Sequence, residues 1–245
     1  MQRIIHGDAY EKIKEIPDNS IDLIITDPPY EIVAGGGGGA FGVENRPYHV
    51  DVSKSETMNV GITNEMLKEF ERVQKATNVY IFCNKNQLRQ YFNFYKEKNL
   101  DLLVWKKTNP IPTLNNKYLS DLEYIFFARE KGVKLYTNAD RGSKLFISQT
   151  NKQDKAKYDH PTVKPQWIIE TLIANSSAKD EIVLDPFAGS GTTAVAATRL
   201  RRGFIVIELE EKHCKTIENR LKGLTKFDIE AEERGQKNIF ELLDD

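Results

Sequence analysis

Cysteine and histidine are scarce in this chain. Cys83 and Cys214 form no CxxC pair, and the four histidines are scattered. That spacing excludes a disulfide scaffold and a structural zinc site, and no metal is expected. Long hydrophobic runs are missing too: none approaches the ~18 residues of a membrane span, so no membrane partner is expected. The opening Met-Gln-Arg-Ile-Ile-His-Gly-Asp has neither the charged nor the apolar region of a signal peptide, and the expectation is a cytoplasmic protein. What remains is an ordinary folded composition, with 40% hydrophobic and 29% charged residues, which excludes disordered and fibrous classes. At 245 residues the chain suits one large α/β domain carrying an insertion.

The formal net charge of −1 conceals an uneven distribution. Residues 84–165 hold 16 Lys and Arg against 8 Asp and Glu, a net +8, while the segments before and after are acidic. A basic segment inside an acidic chain has two readings, a surface for a polyanion or a solvated lysine-rich face.

Short apolar runs bounded by turn residues alternate with amphipathic stretches, the pattern of a doubly wound α/β sheet. Strands are predicted at Arg3–Ile5, Ile21–Thr26, Asn78–Cys83, Leu100–Lys106, Leu122–Ala128, Ile182–Leu184 and Gly203–Ile207. Helices are predicted near Tyr10–Ile16, Asn64–Ala76, Lys85–Lys98, Pro165–Asn175, Gly191–Arg201 and Glu210–Gly223. The result is a seven-stranded, mostly parallel sheet with helices on both faces. Leu100–Lys106 and Leu122–Ala128 lack a helix between them and should form an antiparallel edge hairpin. The expected organisation is a discontinuous domain, 1–130 with 160–225, interrupted by a small recognition insertion at 131–159. A Gly-rich loop at 31–61 contains Gly35–Gly39, and its ordering entropy makes a fixed structure improbable in the free protein. Residues 226–245 read as a polar tail.

Two motifs carry chemistry. Strand Ile21–Thr26 runs into Asp27-Pro28-Pro29-Tyr30, where two prolines end the ladder and present Asp27 and Tyr30 at the strand's C-terminal edge. Open α/β sheets bind ligands at that edge. A carboxylate beside a proline carbonyl is a pair of acceptors suited to an NH2 group. The second motif is Asp185-Pro186-Phe187-Ala188-Gly189-Ser190-Gly191-Thr192, a strand entering a glycine turn that opens a helix. Gly189, Gly191 and Ala194 fit G-x-G-x-x-[GA], with Glu208 at the next strand end placed for ribose hydroxyls. Asp185 would repel a pyrophosphate and suits a cofactor bearing an ammonium, such as S-adenosylmethionine. An NAD-dependent oxidoreductase is therefore disfavoured.

Together the two motifs resemble the amino-methyltransferases that modify DNA, in the beta arrangement, where the catalytic motif precedes the cofactor motif. His160-Pro161-Thr162-Val163-Lys164-Pro165, Trp105-Lys106-Lys107-Thr108-Asn109-Pro110 and His6-Gly7-Asp8 match further short motifs of that family. The resemblance implies a Rossmann-like fold with permuted motif order. It implies that Asp27, Pro28, Pro29 and Tyr30 are catalytic, and that Asp8 and Glu208 hold the adenosine of S-adenosylmethionine. Asp185, Phe187, Gly189, Ser190 and Gly191 would shape the methionine and sulfonium site, with Thr162 and Lys164 near the carboxylate, and Thr192 and His160 are the further cofactor-binding residues.

The implied reaction is site-specific methylation of the N6 amine of adenine in double-stranded DNA, after the base flips onto Tyr30. Asp at position 27 favours adenine by resemblance, and N4-cytosine is the alternative. A methyltransferase for RNA or glutamine, or a non-catalytic DNA-binding module, is less favoured. Lys106, Lys107, Asn109, Arg141 and Lys144 are the expected DNA contacts, and a homodimer or a separate restriction endonuclease is left open.

Overall fold

The computed structural model describes residues 1–30, 61–110, 118–138, 141–150 and 163–233. The Gly35–Gly39 run, His160 and Thr162 lie outside them. The described residues form eight strands: β1 (Gln2–His6), β2 (Leu23–Thr26), β3 (Asn78–Cys83), β4 (Asn99–Lys107), β5 (Leu122–Arg129), β6 (Leu145–Ser148), β7 (Ile182–Asp185) and β8 (Gly203–Glu208). Strands β2, β3 and β8 are buried at every residue. Their nearly continuous apolar runs are what a sheet covered on both faces requires.

All eight strands join one sheet in the order β1-β8-β7-β2-β3-β5-β4-β6. Only β5 runs against its neighbours, pairing antiparallel with β3 and β4, while every other pair is parallel. Helices α4 (Gln166–Ser176), α5 (Thr192–Arg199) and α6 (Glu211–Glu233) cover one face over Leu23, Ile25, Phe82, Val183 and Val206. Helices α1 (Ala9–Lys12), α2 (Asn64–Val73) and α3 (Leu88–Phe94) cover the other over Ile24, Ile81, Phe126 and Ile205. Helix α2 shows the amphipathic logic: Met66, Leu67, Phe70 and Val73 are buried, and the Thr63 hydroxyl caps the N-terminus by accepting from Met66 N. No helix among the described residues is long and apolar enough to cross a membrane.

The sheet has eight strands, one more than expected. The extra strand, β6, comes from the segment read as an insertion and pairs in parallel with β4, from Val104↔Leu145 to Lys107↔Ser148. It therefore lies outside the β4–β5 hairpin, which is one strand in from the edge. Four residues with only Phe146 buried are too short a run to show period two. Helix α6 also outruns its expected end at Gly223, continuing to Glu233. A Cβ at Gly223 would meet nothing within 4 Å, so that glycine only lowers helix propensity by about 1 kcal/mol.

Because every strand but β5 points the same way, one sheet edge collects seven C-terminal strand ends. Asp27, Asp185, Glu208 and Lys107 all lie there, and the opposite edge holds the starts of β3, β4, β6 and β7.

Candidate active site

Strand β2 pairs with β7 through Ile24↔Leu184, so the two chemical motifs leave the sheet side by side. Asp185 stitches them together. Its Oδ1 accepts from Thr26 Oγ1 at 3.0 Å and from Phe187 N at 3.1 Å, and its Oδ2 accepts from Thr193 Oγ1 at 2.7 Å. The residue before Asp27 is thus bonded to the base of the glycine turn and to the first turn of α5. Asp185 is buried, and that burial pushes its carboxyl up to about 6 against these three donors.

Asp27 sits within a set of charges of which Lys164 and Glu123 are buried and Asp27 and Lys107 partly so. Its Oδ2 accepts from Lys164 Nζ at 2.5 Å, while its Oδ1 is buried and accepts no hydrogen bond among the described residues. Lys164 Nζ also reaches Glu123 Oε1 at 2.8 Å, and the Tyr30 hydroxyl donates to that same oxygen at 2.7 Å. Glu123 Oε2 meets Lys107 Nζ at 2.7 Å. The Lys164 ammonium lies over the rings of Phe82, at 5.2 Å, and Tyr30, at 5.5 Å. Burial raises Asp27 above the ordinary carboxylate value, with Lys164 pulling it back. Burial also pushes on Glu123, but Lys164 and Lys107 outweigh it and hold that carboxyl down. Lys164 is raised despite its burial, because Asp27 and Glu123 favour the cation.

The resemblance places Lys164 near the cofactor carboxylate; the contacts its ammonium makes here are with two protein carboxylates. A lysine with 8% of its surface exposed needs counter-charges, and its partners here are Asp27 and Glu123. Glu123 was not singled out from the sequence. Its one signal was a lone carboxylate near the start of the apolar run 122–128.

The cofactor side is built on Gly189 and Gly191, with φ of 51° and 79°. Gly189 N donates to Glu208 Oε2 at 2.8 Å, and Glu210 N to Glu208 Oε1 at 2.9 Å. A Cβ at Gly191 would lie 2.6 Å from Ile217 Cγ1, so that glycine serves helix packing as well as the turn. Ser190 and Thr192 are buried and are held from α6: Arg220 Nη1 donates to Ser190 O at 2.7 Å and Ser190 Oγ at 3.2 Å, and reaches Thr192 Oγ1 at 3.5 Å. The pairing His6↔Glu208 puts Asp8 beside Glu208, where it caps α1 by accepting from Tyr10 N at 2.8 Å. Two carboxylates at adjacent strand ends beside a positive-φ glycine turn are the acceptor set that ribose hydroxyls and an adenine amine require. The residues present fit S-adenosylmethionine.

Lys106, exposed, and Lys107 and Asn109, partly buried, end β4 at the same edge, where Asn109 Oδ1 accepts from Thr150 N at 2.7 Å. Arg141 and Lys144 are not brought there. They lead into the N-terminal end of β6, and the parallel pairing with β4 puts that end at the opposite edge. Asn175 at the end of α4 donates to Arg141 O at 2.9 Å, and Lys144 pairs with Asp101 near the start of β4. Among the described residues no group of His, Cys, Asp and Glu could hold a metal ion.

A proline-closed strand end carrying a carboxylate with one buried oxygen, next to a glycine turn faced by Glu208, defines a methyltransferase of the doubly wound class. Residues 21–219 match the family model for DNA methylases, and the chain belongs to that family. It is 30% identical to the type II methyltransferase M2.DpnII of Streptococcus pneumoniae, over 90% of this chain and 89% of that protein. It is also 30% identical to the type II methyltransferase M2.LlaDCHI of Lactococcus lactis subsp. cremoris, over 91% and 90%. The crystal structure of the M1.HpyAVI–SAM complex superimposes with a TM-score of 0.64 at 26% identity, covering 90% of this chain and all of that one. Fold, DNA methylase activity and S-adenosylmethionine as methyl donor accord with the reading from sequence.

Proposed function

We propose that the chain methylates the N6 amine of adenine in a specific sequence of double-stranded DNA, acting on a base flipped out of the helix. The observation that carries this is Asp27 Oδ1, a buried acceptor left without a partner among the described residues, at the strand end that adjoins the cofactor turn. An exocyclic amine is a weak nucleophile because its lone pair is delocalised into the ring. Accepting its two N–H bonds at Asp27 Oδ1 and the Pro28 carbonyl localises that pair and aims it outward, so positioning supplies much of the acceleration. Bound S-adenosylmethionine supplies an electrophilic methyl on a sulfonium. Tyr30 offers a ring on which the extruded base stacks. The proton leaves the alkylated nitrogen after transfer, toward Asp27, whose proton affinity burial has raised.

The relatives' naming as type II methyltransferases supports a sequence-specific target, and makes a companion endonuclease and pairing of two copies the partners to test for. Asp at position 27, in the family resembled, favours adenine over cytosine. Nucleoside mass spectrometry of DNA treated with the enzyme should find N6-methyladenine. N4-methylcytosine would overturn the choice of base while leaving the mechanism. Asp27→Ala should abolish transfer and leave calorimetric binding of S-adenosylmethionine within about twofold, because Asp27 faces the amine. Robust turnover by that variant would remove Asp27 from the mechanism.

A further inference from the structure

One group of side chains in the site is not absorbed by that mechanism: Glu123, on β5, and Lys164, just before α4, interlock behind the catalytic turn. We propose that they are positioning residues of methyl transfer: Lys164 occupies one oxygen of Asp27 so that the other faces the amine, and Glu123 anchors both Lys164 and the Tyr30 hydroxyl. The inference rests on the methyltransferase reading above.

The geometry carries it. A carboxylate that rotates freely offers either oxygen in any direction, whereas Asp27 is held at Oδ2 by Lys164 Nζ, 2.5 Å away, and its other oxygen is buried and has no partner among the described residues. Lys164 is itself held from the far side by Glu123 Oε1 at 2.8 Å. Tyr30 donates to that same oxygen at 2.7 Å, which fixes the ring meant to stack on the base. The acceptor and the stacking surface thus share one anchor, on a strand distant in sequence from both. Lys107, at the rim, balances the second oxygen of Glu123 at 2.7 Å. Two carboxylates and two ammonium groups make the cluster neutral. Removing Lys164 or Glu123 alone leaves the cluster with a net charge, whereas removing both keeps its net charge at zero.

The pH dependence separates a positioning role from a merely structural one. The charged and titratable groups that act on Asp27 among the described residues are Lys164, Glu123 and Tyr30, with Asp185 across the β2–β7 pair and Cys83 at the end of β3. Burial raises the Cys83 thiol to about 12, so it stays neutral in the working range. Lys164 favours ionised Asp27 and Glu123 opposes it. Transfer needs Asp27 ionised, so activity falls as pH drops through its value, and the two residues must move that acid limb in opposite directions.

Single-turnover transfer of labelled methyl from S-adenosylmethionine to unmethylated DNA should be followed from pH 5 to 9. Lys164→Met should shift the acid limb upward by at least one pH unit, or create a limb where the wild type shows none. Glu123→Gln should shift it downward, with a rate at the plateau at least tenfold below wild type. Glu123→Gln/Lys164→Met should return the limb toward the wild-type position, and Lys164→Arg should retain it. Calorimetric affinity for S-adenosylmethionine should change less than threefold in all of them. An acid limb unmoved in Lys164→Met, or a tenfold weaker cofactor with no limb shift, would overturn the proposal and return Lys164 to the cofactor carboxylate. If Lys164→Met does not fold, Glu123→Gln decides alone: a limb that fails to move down overturns it. A wild-type enzyme that transfers no methyl to DNA would instead refute the underlying reading.

Discussion

Asp185 shows how one side chain serves two motifs. Its three donors come from β2, the glycine turn and α5, so losing it would unstitch the sheet edge. Its position before the glycine turn was legible in the sequence, but its bonds to Thr26 and Thr193 were not, since those residues become neighbours only through the β2–β7 pairing. A carboxyl raised to about 6 by burial exceeds the ~3.9 of an unfolded Asp. Protonation is therefore favoured by folding, and this stabilisation is full below that unfolded value and lost as pH rises through about 6. Asp185→Asn does not titrate. The difference in melting temperature, variant minus wild type, should therefore grow more positive between pH 4 and 8 in the absence of cofactor. A difference that is flat or falls with pH would show that Asp185 is not raised.

Among elements, β6 has the least support and the most consequence, because it turns part of an apparent insertion into the outermost strand of the sheet. Its hold on the core is Phe146, buried and packed edge-on to Trp167 of α4 with ring centroids 5.6 Å apart; Leu145 and Ile147 are exposed. Phe146→Ala should cost about 3–5 kcal/mol in urea unfolding and alter tryptophan emission. A loss below about 1 kcal/mol would mean that β6 hangs on backbone pairing with β4 alone. Among the described residues the six α-helices and the other seven strands fall where hydrophobic periodicity places them, within a few residues at their ends except for the C-terminal end of α6, which runs ten residues further. Strand β6 escaped because four residues do not make a period.

At the scale of the whole molecule, strand direction sorts the charge. The basic middle segment is one block in sequence, yet the fold sends Lys106 and Lys107 to the catalytic edge and Lys144 to the other. DNA affinity should fall steeply with salt, by about 0.9 log units per log unit of salt for each phosphate contact. Lys106→Ala should lower that slope by about one contact. Arg141→Ala/Lys144→Ala should leave affinity and slope unchanged, because those residues bond to the opposite edge. A weaker slope in the double variant, measured by fluorescence anisotropy, would place DNA across both edges.

The sequence by itself determined the α/β class, the two strand-end motifs and the chemistry they imply, because those signals are local. Apolar runs, prolines that end a ladder and glycines that open a helix act within a few residues of one another. Only the tertiary structure decided which charges meet. Lys164 lies 137 residues from Asp27 and Glu123 lies 93 from Tyr30, and no spacing rule connects them. They are brought together by the strand order, which sets β7 and β3 on either side of β2 and β5 beyond β3. Burial there makes an unpaired charge costly, and Lys164 pairs with the two carboxylates within reach, Asp27 and Glu123.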